Sequence, residues 1–307
     1  MGHIRCSVIK VLNFGSLNID HVYSVSAISR PGETIQSHNY EVFAGGKGAN
    51  QSAALAQAGA CVSHAGRIGT DGRWLKEKLS TFAVDVNQII EDPDSPTGHA
   101  IVQVAADGEN SIVLFPGANL HLSESQIDYS ISQFTQGDFL LVQNETNQIE
   151  HLLTAACRLG LKIVFNPAPF TDAVANYPLS LVDILIVNQT EANDLTALGS
   201  EASHQTLLES LHRIIGSAGE VIVTLGSEGA IFFDGKTTLF EPAITVEPVV
   251  DTTGAGDTFV GYFVAATAAG MSPTEALRKA TAAAALSIAR HGAMDSIPKA
   301  VDIGYME

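Results

Sequence analysis

The stretch that decides the reading is Val250-Asp251-Thr252-Thr253-Gly254-Ala255-Gly256-Asp257-Thr258-Phe259. Gly254, Ala255 and Gly256 place almost no side chain between the backbone and a ligand, and an apolar, helix-like run from Thr258 to Ala269 follows at once. Backbone N–H groups at a helix start point outward and carry partial positive charge, so a glycine turn that opens a helix can cradle an anion. Asp257 lies inside that cradle, where a carboxylate is well placed as a base beside a phosphoryl group. The plainer alternative is a tight turn with Asp257 as N-cap. A short glycine motif alone does not separate the two.

Working outward, a second glycine turn, Gly45-Gly46-Lys47-Gly48-Ala49-Asn50-Gln51, runs into an Ala-rich helix predicted over Ser52–Ala58. It lacks both the Walker spacing and G-x-G-x-x-G. Lys47 and Asn50 suit sugar hydroxyls; close helix–strand packing would explain the same glycines. Before it, the apolar run Ile9–Leu17 predicts a buried strand ending in Gly15-Ser16-Leu17-Asn18-Ile19-Asp20. Polar groups at the C-terminal end of such a strand lie on the ligand side of an α/β sheet, although Asp20 also reads as a turn residue. Between these motifs, His21–Val25 and Tyr40–Ala44 flank the turn Arg30–Glu33, a small β excursion. A second excursion, Thr97–Ala105 and Ser111–Phe115 around Asp107-Gly108, reads as a hairpin. Together they suggest a small sheet inserted as a lid, at about residues 15–44 and 96–118 of one unit spanning 1–307.

The remainder alternates. Strands are predicted at Cys61–Ile68, Asp138–Gln143, Leu161–Asn166, Val182–Asn188 and Glu220–Leu225. Helices are predicted at Arg73–Phe82, Ser123–Phe134, Asn147–Leu159, Glu191–Leu198 and Leu207–Ala218. Gly229–Phe233 and Thr237–Glu241 bracket Asp234-Gly235 as a hairpin, and Ser272-Pro273-Thr274-Glu275 caps a last long helix to about Ala289. The alternation predicts an α/β fold: a doubly wound, mostly parallel sheet with helices on both faces. Asn144-Glu145, Asn166, Asn188 with Glu191, and Thr224 with Ser227 sit at strand ends, on the edge where such sheets bind ligands.

The totals narrow the partners. The formal net charge of −17 disfavours nucleic acid and anionic membranes, yet leaves room for a nucleotide held by backbone amides and a cation. Cys6, Cys61 and Cys157 are scattered without metal-ligand spacing and read as buried thiols in a reducing compartment. With no apolar run near the ~20 residues of a membrane span and no cleavable leader pattern, a soluble cytoplasmic protein is expected.

Six stretches now carry a family: Gly15–Asp20 (GSLNID), Gly45–Gln51 (GGKGANQ), Asn166–Pro169 (NPAP), Asn188–Glu191 (NQTE), Thr224–Gly229 (TLGSEG) and Asp251–Asp257 (DTTGAGD). In this order, over nearly the whole chain, they resemble the PfkB carbohydrate-kinase family. Pro116-Gly117-Ala118-Asn119, with GSLNID and GGKGANQ, is most similar to members acting on ribose. The resemblance implies transfer of the ATP γ-phosphoryl to a sugar hydroxyl, and a homodimer formed through the lid. It implies Asp257 as base and Gly254, Ala255 and Gly256 as anion hole. It implies sugar contacts from Asn18, Ile19, Asp20, Gly46, Lys47, Gly48, Ala49, Asn50, Glu145 and Asp257. ATP would meet Asn188, Thr224, Leu225, Gly226, Ser227, Glu228, Gly229, Gly256, Asp257 and Thr281. Glu191 would organise Mg2+ through water, and an activating K+ would sit near Asp251, Thr253, Ser287, Arg290, Gly292 and Ser296. Two departures stand out: Gln189 where the family usually carries Glu, and Thr281 where His is frequent. Competing readings are a same-fold kinase for fructose, deoxyribose or a nucleoside, and a non-catalytic sugar-binding protein, against which the intact Asp257 and glycine pair speak.

Overall fold

Residues 9–199 and 202–304 are described in a computed structural model. The first sheet begins with β1 (Lys10–Phe14), whose side chains alternate between two cores: Val11 enters one, Leu12 and Phe14 the other. The chain then makes β2 (Asn18–Val25) and β3 (Asn39–Gly45), followed by α1 (Lys47–Gln57), β4 (Cys61–Gly69), α2 (Arg73–Thr81) and β5 (Asp85–Asp92). Next come β6 (Gly98–Ala105), β7 (Asn110–Phe115), α3 (Glu124–Ile131), β8 (Phe139–Gln143), α4 (Ile149–Leu159) and β9 (Lys162–Asn166). They lead to β10 (Ile184–Asn188), α5 (Gln189–Thr196), α6 (His204–Ile215), β11 (Glu220–Thr224), β12 (Gly229–Phe233) and β13 (Thr238–Pro242). The described chain closes with α7 (Ala255–Ala268), α8 (Pro273–Ser287) and the short α9 (Ala300–Ile303).

Among the described residues, nine strands form the main sheet in the order β13-β12-β11-β10-β9-β8-β1-β4-β5. Pairing is parallel from β5 to β11 and antiparallel only in the β11–β12–β13 margin. From β1 the chain winds one way through β4 and β5, then returns to start the other half at β8. Order therefore reverses between β1 and β8, the switch point where open α/β sheets leave a crevice for ligands. One core, with α1, α2, α7 and α8, covers one face; the other, with α3 to α6, covers the opposite face. Central strands such as β8, buried throughout, need helices on both sides, which is why they read as unbroken apolar runs.

A second sheet has the order β3-β2-β6-β7 and is mixed, because β2 and β6, from separate excursions, run parallel. Register puts Asp20, Phe43 and Ala100 on one face and His21, Val42, Ile101 and Val113 on the other. Tyr40, Val42, Ile101, Val113 and Phe115 of the second face are exposed.

Several expectations need correction. The helix at the second glycine turn starts at Lys47, five residues before Ser52, so most of that turn is itself helical. β2 starts at Asn18, so Asp20 is a strand residue and not part of a turn. β5 was not anticipated: its DVNQIIED composition is that of an edge strand with one wet side, far from an apolar run. Cys61 and Cys157 are exposed, not buried. Cys61 opens β4 at the sheet margin, and Cys157 lies off the α4 face that buries Leu152, Leu153 and Ala156. Cys6 lies outside the described residues.

Candidate active site

The start of α7 is built as an anion cradle. Gly254 is its N-cap in the left-handed region (φ 76°), with Ala293 packed so that an added Cβ would lie 2.9 Å from the Ala293 Cβ. A side chain there would be strained on both counts. The first i→i−4 bond runs from the Thr258 amide to the Gly254 carbonyl at 2.8 Å. The Gly256 and Asp257 amides thus precede the helical ladder and keep their donors for other partners. A Cβ on Gly256 would meet nothing within 4 Å, so the space in front of it is open. Asp257 is the third residue of the helix and not its N-cap, which removes the plainer reading of the motif.

Asp257 is buried, and both its carboxylate oxygens are engaged by α1. Asn50 Nδ2 donates to Oδ2 at 3.0 Å and Gln51 Nε2 to Oδ1 at 2.9 Å. The two helices come this close because Gly261 of α7 packs on Ala54 of α1, where any Cβ on residue 261 would collide. The α1 start is anchored in turn to the end of β1. A Cβ on Gly48 would strike the backbone of Gly15 and Ser16. The Gly48 amide donates to Ser16 Oγ, the Ala49 amide to the Ser16 carbonyl and the Lys47 amide to Glu145 Oε2. Ser16 Oγ also donates to Glu145 Oε2.

Charge concentrates around this point. Burial, with nearby Glu145, pushes the Asp20 carboxyl up to about 6. Burial likewise raises Glu145 and Glu191. The Lys47 ammonium is held above its ordinary value, chiefly by Asp257, with Glu145 and Glu191 adding and burial opposing. One cation thus faces three carboxylates from different elements. Asn50 Oδ1 is buried without a partner, a spare acceptor beside Asp257. Asn18 is fixed by Asn119, whose Nδ2 donates to Asn18 Oδ1 at 2.8 Å and whose Oδ1 accepts from the Leu17 amide at 3.0 Å.

On the other side of the α7 start lies an apolar cleft of about 500 Å³. Asn188, Thr224, Gly226, Ser227 and Gly229 line it from the sheet edge, and Gly256, Phe259, Thr281 and Ile288 from α7 and α8. Thr281 Oγ1 is buried there with no hydrogen-bond partner, so the site offers an unused polar handle in apolar surroundings. Asn188 and Glu191 form the capping box of α5, each side chain bonded to the other's backbone amide. Of the predicted nucleotide contacts, Leu225 is instead buried in the second core and Glu228 belongs to a short 3-10 turn off the lining. Ile19 and Ala49, placed with the sugar residues, bury their side chains in the first core, leaving only backbone for a ligand.

The candidate cation residues converge in part. Asp251 Oδ2 accepts from the Gly292 amide at 3.0 Å and Oδ1 from the Thr253 amide at 2.9 Å. Its carboxyl stays below the usual range; burial opposes this, but bonds from Thr253 and Gly292 prevail. The Ser287 and Ser296 hydroxyls donate to the carbonyls of Ala284 and Ala293, and Arg290 turns its guanidinium to Asp302. Any role for these three in an ion site falls to their oxygens. Among the described residues no cluster of three acidic, His or Cys side chains forms a ready-made metal cage, and no helix is long and apolar enough to cross a membrane.

Sequence reasoning missed the 243–249 segment, five of whose residues (Ala243, Ile244, Thr245, Val246 and Val249) line the cleft. It also missed the parts played by Ser16, Gln51 and Asn119. All three lie in stretches singled out from the sequence, GSLNID, GGKGANQ and PGAN, but as motif members without an assigned role.

The arrangement brings a buried carboxylate, open helix-start amides, a cluster of hydroxyl-seeking groups and an apolar cleft to one point. Known proteins resemble the chain over nearly its whole length. Ribokinase from Haemophilus influenzae is 40% identical over 291 residues, 92% of this chain and 94% of that protein. The structure of ribokinase from Cryptococcus neoformans var. grubii in complex with ADP superposes with a TM-score of 0.86 at 37% identity, covering 98% of this chain and 100% of the other. That of Arabidopsis thaliana ribokinase complexed with ribose and ATP gives 0.87 at 30% identity, over 97% and 98%. The profile described as pfkB family carbohydrate kinase matches residues 8–300, and the chain belongs to that family.

Proposed function

We propose that this chain transfers the γ-phosphoryl group of ATP to the 5-hydroxyl of ribose. The observation that carries the reading is the position of Asp257. It sits where the open amides of α7 end the apolar cleft and where Asn50 of α1 and the Asp20–Lys47–Glu145 group begin. Relatives named ribokinase over nearly their full length, one of them complexed with ribose and ATP, support the choice of sugar.

The cleft takes the adenine, with Thr281 Oγ1 as the polar handle, and Asn188, Thr224, Gly226, Ser227 and Gly229 line the path of the sugar and phosphates. Asn18, Asp20, Lys47, Asn50 and Glu145 hold ribose so that one hydroxyl meets Asp257, and Gly46 and Gly48 shape the turn that presents Lys47 and Asn50. Phosphoryl transfer asks for positioning and charge stabilisation more than covalent chemistry. Asp257 accepts the hydroxyl proton as the oxygen attacks. An aspartate is a weak base, so that transfer comes late. The Gly256 and Asp257 amides take the charge that grows on the γ-phosphate. Glu191 fits an Mg2+ site bound mostly through phosphates and water, which needs few protein ligands. When bound, such an ion would lower the repulsion between the phosphates. Asp251, Thr253 and Gly292, with oxygens from Ser287, Arg290 and Ser296, are hard donors suited to K+ beside the cradle.

The small sheet acts as a lid inserted at about residues 15–44 and 96–118. Its outward face, with Tyr40, Val42, Ile101 and Val113, fits a second copy of the chain, since an apolar sheet face seeks cover. A substrate of this kind suits a cytoplasmic protein. The test is ADP release with ATP, Mg2+ and a panel of neutral sugars and nucleosides, with and without K+, using Asp257→Asn as blank. Ribose-dependent, K+-enhanced turnover absent from the blank is expected. Turnover with another acceptor alone would overturn the choice of ribose.

A further inference from the structure

Beneath Asp257 runs a line of buried amides that the reaction as described does not use. Gln51 Nε2 spends both its hydrogens, one on Asp257 Oδ1 at 2.9 Å and one on Asn166 Oδ1 at 2.9 Å. Gln51 Oε1 accepts from Gln143 Nε2 at 2.6 Å, and the same nitrogen gives its other hydrogen to Asn13 Oδ1 at 3.0 Å. Asn13 Nδ2 donates to the Gly48 carbonyl at 2.7 Å and to Ser52 Oγ at 2.8 Å. Ser52 Oγ, 2.8 Å from His64 Nδ1, closes the run on an imidazole that burial pushes down to about 4 and so keeps neutral.

An amide can be turned end for end with little change of shape, so what fixes each orientation has to be found in its partners. Here two backbone carbonyls, which can only accept, fix them all. The Gly48 carbonyl demands the nitrogen of Asn13, so Asn13 shows oxygen to Gln143. Gln143 must then show nitrogen to Gln51. The Ile186 carbonyl takes the nitrogen of Asn166 at 2.9 Å, so Asn166 also shows oxygen to Gln51. Gln51 is left with one orientation, N–H toward Asp257. Gln143 Oε1 remains buried with no partner among the described residues.

We infer that Gln51 is a positioning residue: the Asn13–Gln143–Gln51 relay, locked by the Gly48 and Ile186 carbonyls, keeps an N–H on Asp257 and so holds the base aimed. This rests on the reading of Asp257 as base. Lys47 from α1, Glu145 after β8 and Glu191 on α5 are the other charged groups facing it, and none belongs to the relay.

Three variants test it in the full-length protein: Gln51→Met, Gln51→Glu and Gln143→Met, the last two contacts removed from the reacting atoms. The readouts are kcat, KM for ATP and for sugar, the acid half-point of kcat, and the melting temperature. A misaimed base is expected to lower kcat about 10–100-fold in Gln51→Met with KM for ATP within about 2-fold. Gln51→Glu puts a second carboxyl against Asp257, and two carboxyls in contact share a proton. Its acid half-point is expected to rise by about one pH unit or more. Gln143→Met frees the Gln51 amide to turn and is expected to lower kcat about 3–10-fold. A purely structural role would lower melting temperature while leaving the acid half-point and kcat unmoved, and that result overturns the inference. So does failure of all three variants to fold. Asp257→Asn is run alongside. If it keeps turnover, the base assignment falls; if it is inactive while Gln51→Glu keeps the wild-type half-point, only the relay falls.

Discussion

Two glycine turns open two helices at the centre of this molecule, and they do opposite things with their amides. At α1 the donors are consumed inside the protein: Lys47 bonds Glu145, Gly48 bonds Ser16 Oγ, and Ala49 bonds the Ser16 carbonyl. Its Gly48 has no room for a Cβ. At α7 the donors of Gly256 and Asp257 precede the helical ladder, and the Cβ position of Gly256 opens on empty space. One turn is a joint and the other a receptacle. A glycine whose missing Cβ would hit protein serves the fold, whereas one whose missing Cβ would hit nothing leaves space that a ligand can fill.

The sharpest way to break this comparison is at Asp257, where both helices meet. Asp257→Asn is expected to fold and bind ATP while turnover falls by ~10²-fold or more, the scale of a positioned base. Steady-state ADP release with a thermal melt checks it, and near-wild-type turnover would leave the α7 turn a structural cap like the other.

Next comes the crossed glycine pair. Gly256→Ala is expected to leave the melting temperature within about a degree and to lower turnover about 10-fold or more, since the methyl enters the space in front of the amides. Gly48→Ala is expected to cost about 1–3 kcal/mol of stability through overpacking, read by denaturant unfolding. If the two variants exchange phenotypes, the distinction between joint and receptacle is wrong.

A third prediction concerns the sugar side. A carboxyl raised from 3.8 to about 6 on folding binds its proton more tightly in the folded state. Its contribution to stability is therefore full below about pH 4 and lost as pH rises through about 6. Asp20→Asn removes that loss. In the free protein it is expected to gain on the order of 1–2 kcal/mol at pH 7 and almost nothing at pH 4, while sugar affinity drops. Equal gains at both pH values, by thermal melts, would show that burial of Asp20 carries no charge penalty.

The smallest effect sits at the far end of the cleft. Thr281→Val replaces an unpartnered buried hydroxyl by a methyl of similar size. Stability is expected to hold or rise slightly, with KM for ATP up about 2–5-fold, because only the ligand lacks a partner afterwards. An unchanged KM would detach Thr281 from the nucleotide.

The main sheet was legible because β8 to β11 are unbroken apolar runs that end in polar residues, and the fold class follows from them, whereas the family resemblance rested on six motifs spread from Gly15 to Asp257. β5 was not, since an edge strand wet on one side carries no such run. Asp257 and Asp20 could be singled out because their neighbours are glycines or strand ends. Gln51, Gln143 and Asn13 could not: they lie 38 to 130 positions apart, and in sequence a buried amide looks like any exposed one. The exposed Cys61 and Cys157 teach the converse, that a residue type commonly found inside says nothing about which face of its own element it occupies.

The contact between Asn50 and Asp257 joins residues 207 positions apart. During synthesis at about 5–20 residues per second, Asn50 emerges some 10–40 s before Asp257, the proposed base. A ribosome-bound fragment thus contains no complete centre, and neither does a truncated product lacking α7. On the proposed reading such partial copies cannot burn ATP, because the base arrives with α7, after every strand of both sheets.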